Sequence, residues 1–177
     1  MNIQRLEPMH APTYRALMLE AYELHPEVFT SSVGERAALP ISWWEGRLSQ
    51  DTEAVELVVG SFRNHELVGV AGLSFESREK VRHKATLFGM YVPSRARGHG
   101  VGAKLVLAAL AEARLRPGIR LVQLTVTHGN RSAEALYKKY GFVQFGLEPL
   151  AVAIGNEFVS KVHMWCKIEA PRGDAQV

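Results

Sequence analysis

The chain has 177 residues, of which 47% are apolar and 22% charged, with a formal charge of +3 and a single cysteine, Cys166. That length is about one domain's worth and can bury a full core unaided, the composition excludes wholesale disorder, and one cysteine excludes a disulfide framework or a cysteine-built zinc site, so no metal is expected. No apolar run approaches the ~20 residues of a membrane span, the first residues lack a signal peptide's basic-then-apolar plan, and the small charge excess lacks a nucleic-acid binder's dense basic stripe; the expectation is a cytoplasmic protein without membrane or nucleic-acid partners.

Residues 3–6 read as a first strand. A helix follows, with Pro12 in its first turn and Tyr14, Leu17, Met18, Ala21 and Leu24 on one apolar face. Residues 25–40 read as an irregular connection or broken helices, after which Ser42 is expected to cap a short helix carrying Trp43, Trp44 and Leu48. One of the two indoles should pack in the core and the other lie over it. Residues 55–63 and 67–76 form an antiparallel hairpin around Asn64-His65-Glu66. Residues 84–92 are a strand stopped by Pro93, and 101–116 a long helix so rich in Ala, Leu and Val that it should be buried against a sheet. Then come a β-branched strand (121–127) and a helix (132–140) ended by Gly141 in a left-handed conformation. Two late strands, 143–153 and 158–168, close the pattern. Period two in the last one places Cys166 on a core-facing side with Val162 and Met164.

This order predicts an α/β (α+β) fold, a mixed sheet of about seven strands with about four helices on its faces. No composition shift marks a boundary, so residues 1–169 form one domain and the polar end at 170–177 is expected to fray.

The chemistry concentrates where residues 84–92 give way to the long helix. Arg97-Gly98-His99-Gly100-Val101-Gly102 lies there, with Arg95 and Lys104 close by. A helix N-terminus leaves about four backbone N–H groups unpaired and carries about half a positive charge. Glycines allow a phosphate to approach those groups without interference from Cβ, and Arg97 can add a charge-assisted contact. The pattern is not a Walker A loop, which needs Gly-Lys-Ser/Thr. Nor is it the dinucleotide fingerprint, whose glycine spacing and place after a first strand both differ.

The stretch LFGMYVPSRARGHGVG (87–102) resembles the core motif of the GNAT family of N-acetyltransferases, R/Q-x-x-G-x-G/A after a strand ending in Val; Arg97, Gly100 and Gly102 match it. About thirty residues on, NRSAEALYKKYGF (130–142) is similar to the family's N-x-x-A-x-x-L-Y-x-x-x-G-F segment. Two motifs in the right order are more specific than either alone. The first fifty residues match in outline only.

The resemblance implies the GNAT fold and acetyl transfer from acetyl-CoA, the co-substrate, to an amine. It implies that the fourth and fifth strands splay and hold the thioester between them. Met90, Tyr91 and Val92 would pair their backbone with the pantetheine arm and supply an N–H for the developing oxyanion. Arg97, Gly98, His99, Gly100, Val101 and Gly102 would hold the pyrophosphate, His99 being exposed and not catalytic, and Asn130 would reach the pantetheine. Tyr137 matches the general acid; a thiol of pKa about 8.5 and a phenol of about 10 are close enough for a proton to pass as the C–S bond breaks. The base stays open among Glu76, His83 and His128. The segment 25–32 with Trp43 and Trp44 flanks the acceptor region and resembles small bacterial acetyltransferases with an HPEAF-like segment, a group that Gly146-Leu147-Glu148-Pro149 also fits; Glu27 or Glu148 could meet a cationic amine. Direct attack on a small-molecule primary amine in a ternary complex is the expected reaction. A protein N-terminal or lysine acetyltransferase and a non-catalytic acyl-CoA sensor are the alternatives, and a homodimer through the late strands is possible.

Overall fold

The computed structural model describes residues 1–169; the segment 170–177, expected to fray, lies outside the described residues. Seven strands form one sheet: β1 (Asn2–Arg5), β2 (Glu56–Arg63), β3 (Glu66–Phe75), β4 (Lys84–Tyr91), β5 (Leu121–Thr127), β6 (Val143–Ile154) and β7 (Glu157–Lys167). Their spatial order is β1-β2-β3-β4-β5-β7-β6. Every neighbouring pair is antiparallel except β4 and β5.

The period of two sorts side chains onto two faces. Leu57 and Val59 of β2, with Val162, Met164 and Cys166 of β7, meet α4 (Val101–Leu115) and Tyr137 of α5 (Arg131–Lys139) in the larger core. Val58 and Val70 face the other way, onto α1 (Ala11–Leu24) and Trp44 of α3 (Ile41–Gly46). α4 buries the stripe Val101, Leu105, Val106, Ala109, Leu110 and Ala113, while Leu107 on its outer side is exposed. Trp44 is fully buried and Trp43 stands edge-on to it at 5.1 Å, as expected of the pair. Cys166 is buried, and burial pushes its thiol pKa up.

Among the described residues five α-helices flank the sheet, against about four expected; the connection after α1, read as irregular or as broken helices, contains α2 (Val33–Ala37). Ser32 and Glu35 close a reciprocal capping box there, which satisfies end groups that so short a helix would otherwise leave bare. Ser42 does not cap α3. The N-cap is Pro40, in an extended conformation, and Ser42 lies inside the helix.

One departure from sheet regularity positions the site. β4 and β5 pair in parallel only at Lys84↔Leu121, Ala85↔Val122 and Thr86↔Gln123. Beyond Thr86 the pairing ends, and the β5-facing edge of β4 toward Tyr91 has no strand paired to it among the described residues.

Candidate active site

The end of α4 that faces this gap is built by glycines. Gly98 and Gly100 have φ of +78° and +73°, and Gly100 is the N-cap in the left-handed region. An L side chain would be strained at both positions, whereas nothing crowds the space where its Cβ would stand. The first helical bond runs from Lys104 N–H to Gly100 C=O, so the N–H groups of Val101, Gly102 and Ala103 precede the ladder. Gly102 serves a different purpose: a Cβ there would stand 3.2 Å from Leu136 Cδ2 and 3.3 Å from Met90 Cε. It lets α4, α5 and β4 approach one another.

A cleft of about 620 Å³ runs from this turn into the gap. Met90, Tyr91, Val92, Arg97, Gly98, Gly100, Val101, Gly102, Asn130 and Tyr137 all line it. Tyr137 is 8% exposed, and its hydroxyl donates to Met90 Sδ at 3.4 Å. Burial pushes its phenol up to about 12. The ring is fixed by a Schellman end to α5: Phe142 N–H bonds to Tyr137 C=O, Gly141 N–H to Lys138 C=O, and Gly141 has φ +89°. Phe142, just past that turn, packs edge-on against Tyr137 at 5.7 Å.

Three of the expected residues have further engagements. Asn130 is the N-cap of α5 and its Oδ1 accepts from Ala133 N–H at 3.2 Å, which fixes the amide at the cleft's edge and leaves both Nδ2 donors without a partner among the described residues. The Arg97 Nε donates to Val92 C=O at 2.9 Å, with a terminal nitrogen 3.4 Å from His25 Nε2. Tyr91 turns its ring to the opposite core and donates to Glu20 Oε1 at 2.9 Å. His99 stands apart, exposed outside the cleft, with Nδ1 2.8 Å from Arg97 C=O.

The chain matches the model of the Acetyltransferase (GNAT) family over residues 18–142. It belongs to that family. It is 30% identical over 127 residues to YwnH of Bacillus subtilis (strain 168), provisionally named a phosphinothricin acetyltransferase, covering 69% of this chain and 72% of that one. A GNAT acetyltransferase from Streptococcus pneumoniae superposes with a TM-score of 0.82 at 28% identity, over 95% of this chain and 99% of the other. The yncA protein of Salmonella typhimurium, solved with acetyl-CoA, shares the fold with a TM-score of 0.79 at 20% identity over 99% of both chains.

Acetyl-CoA is the co-substrate of the GNAT family, and this chain's cleft has the chemistry to receive it. The unladdered N–H groups at α4 suit a pyrophosphate, and the free edge of β4 suits an extended amide arm. Among the described residues no cluster of three or more His, Cys, Asp or Glu is placed to hold a metal ion.

The residues considered as base do not converge on this GNAT cleft. Glu76 and His83 line a separate hollow at the far end of the sheet, Glu76 paired with Arg78 at 3.0 Å. Both β4 and β5 run toward the gap, so a residue preceding β4 lies at the closed end. His128 is exposed, beyond β5, and outside the cleft's lining. The cleft's lining does contain an imidazole and a carboxylate, His25 and Glu27, 3.7 Å apart. Sequence reasoning placed these two near the acceptor but gave His25 no role. Glu148, by contrast, pairs with His163 at 2.8 Å. Lys161 was missed altogether. It is buried on β7, and two of its three hydrogen-bond partners lie more than 130 residues away in segment 25–29.

Proposed function

We propose that this chain is an N-acetyltransferase that moves an acetyl group from acetyl-CoA to the primary amine of a small molecule, by direct attack in a ternary complex. The observation that supports this reading is the Tyr137 hydroxyl, 3.4 Å from Met90 Sδ of β4, in the lining of the same cleft as the glycine turn at the N-terminus of α4. Acetyl-CoA supplies the activated acetyl thioester. Val101, Gly102 and Ala103 N–H, with Arg97, bind the pyrophosphate; the outer edge of β4 orients the arm. A backbone N–H near Met90 faces the carbonyl oxygen as negative charge develops there. The amine nitrogen bonds to the carbonyl carbon, the C–S bond breaks, and the sulfur takes the Tyr137 proton. The proton lost by the amine passes to His25 or Glu27, directly or through water.

Segment 25–29, which walls one side of the cleft, favours a small acceptor over a peptide. Edge strand β6 leaves Val143, Phe145, Leu147 and Leu150 exposed, which favours a homodimer that sedimentation would detect. The test of direct attack is initial-rate kinetics at varied acetyl-CoA and amine. Intersecting lines are expected, with turnover retained in Cys166→Ala; parallel lines, the sign of an acetylated enzyme, would refute it.

A further inference from the structure

Lys161 is 3% exposed, and burying an ammonium is costly unless every N–H finds an acceptor. Here each does. Nζ donates to Val28 C=O at 2.6 Å, to Thr127 Oγ1 at 2.8 Å and to Glu27 C=O at 3.2 Å, which uses its three donors. Thr127 Oγ1 in turn donates to Glu27 C=O at 2.8 Å. Thr127, at the end of β5, and Lys161, midway along β7, are directly paired residues, so the ring of bonds ties a loop to two strands of the sheet. Burial pulls the Lys161 pKa below the usual lysine value, while the charges of Glu27 and Glu148 oppose that shift.

The tied loop is a wall of the cleft. His25, Glu27, Val28 and Phe29 all line it. Phe29 is held from the other side, edge-on to Tyr22 at 4.9 Å. A methionine at 161 would fill similar space at lower desolvation cost, but it would release Val28 C=O and leave Glu27 C=O held by Thr127 alone. The ammonium is thus suited to geometry more than to stability.

We infer that Lys161, with Thr127, is a positioning residue that holds segment 25–29 as the acceptor-side wall of the cleft. This rests on the proposed transferase reading, in which the amine enters beside that wall. Lys161 touches neither the glycine turn nor β4, so its loss should act on the acceptor and spare acetyl-CoA.

The test uses the full chain with Lys161→Met and Thr127→Val, the second keeping side-chain shape while removing the bridging hydroxyl. Both should speed amide hydrogen exchange in 25–29. Both should raise KM for the amine by about tenfold or more, as expected when charge-assisted bonds are lost, and lower kcat because His25 and Glu27 ride on the loosened segment, while the acetyl-CoA Kd stays within about threefold. Unchanged exchange in both variants would overturn the inference, as would a loosened segment with an unaltered KM. If Lys161→Met does not fold, Thr127→Val decides. If the wild type acetylates no amine, the proposed function falls, and the exchange measurement still decides whether the tie exists.

Discussion

Replacing Tyr137 with phenylalanine isolates one hydroxyl. The ring stays buried, with its 5.7 Å edge contact to Phe142 and its place beneath the Schellman turn. The only bond given up is the one to Met90 Sδ at 3.4 Å. A single neutral hydrogen bond is worth about 1 kcal/mol net, so the melting temperature should move by no more than ~4 °C for a domain of this size. Catalysis should suffer far more. A positioned general acid contributes about 10²–10⁴-fold, equivalent to ~3–5 kcal/mol of barrier. The phenol sits at about 12, so it keeps its proton throughout the range near neutrality where the assay runs. The deficit should therefore not vary between about pH 7 and 9. The assay is steady-state release of free CoA with the preferred amine, beside calorimetric titration of acetyl-CoA. Turnover within about threefold of wild type would refute the acid role. So would a loss of acetyl-CoA affinity equal to the loss in turnover.

Three further outcomes are expected. Arg97→Ala and Gly100→Val should each weaken acetyl-CoA binding by about ten- to a hundredfold, the worth of a charge-assisted bond; an unaltered calorimetric Kd would contradict the phosphate cradle. Gly141→Ala forces a side chain onto φ +89°, which costs about 1–2 kcal/mol and should lower the melting temperature by ~2–8 °C; an unchanged melt would remove the Schellman turn from the account. Alkaline pH should destabilise the fold. Tyr137 and Tyr91 are raised to about 12, Tyr137 by burial, Tyr91 by burial and its bond to Glu20. Stability from keeping them neutral is complete below an unfolded value of about 10 and lost as pH rises through 12. Urea melts at about pH 9 and 11.5 should show that loss, reduced in Tyr137→Phe; equal losses in both proteins would count against it.

What the sequence made legible follows physical period and local rule. Alternation marked the strands, and the Gly141-Phe142 step marked the end of α5, because both are set by neighbours in the chain. The glycine turn was readable for the same reason: Gly98, Gly100 and Gly102 constrain a backbone only a few residues long. The signal for α2 was also present, in Ser32-Val33-Gly34-Glu35, but a five-residue helix containing a glycine leaves little periodicity to see. Ser42 misled because a good capping residue lay two positions inside the helix that Pro40 begins. Glu76 and His83 failed on direction, since β4 carries its C-terminal end, not its start, into the gap. Lys161 could not be seen at all. Charged residues on strands are usually solvated, and the carbonyls of Glu27 and Val28 reach it only through the tertiary fold.

The most direct test of the whole account is release of free CoA from acetyl-CoA, followed with a thiol reagent across amines, amino acids, polyamines and peptides. The account predicts release that depends on a small primary amine and collapses in Tyr137→Phe. Silence across the panel, with no binding of acetyl-CoA by calorimetry, would contradict it.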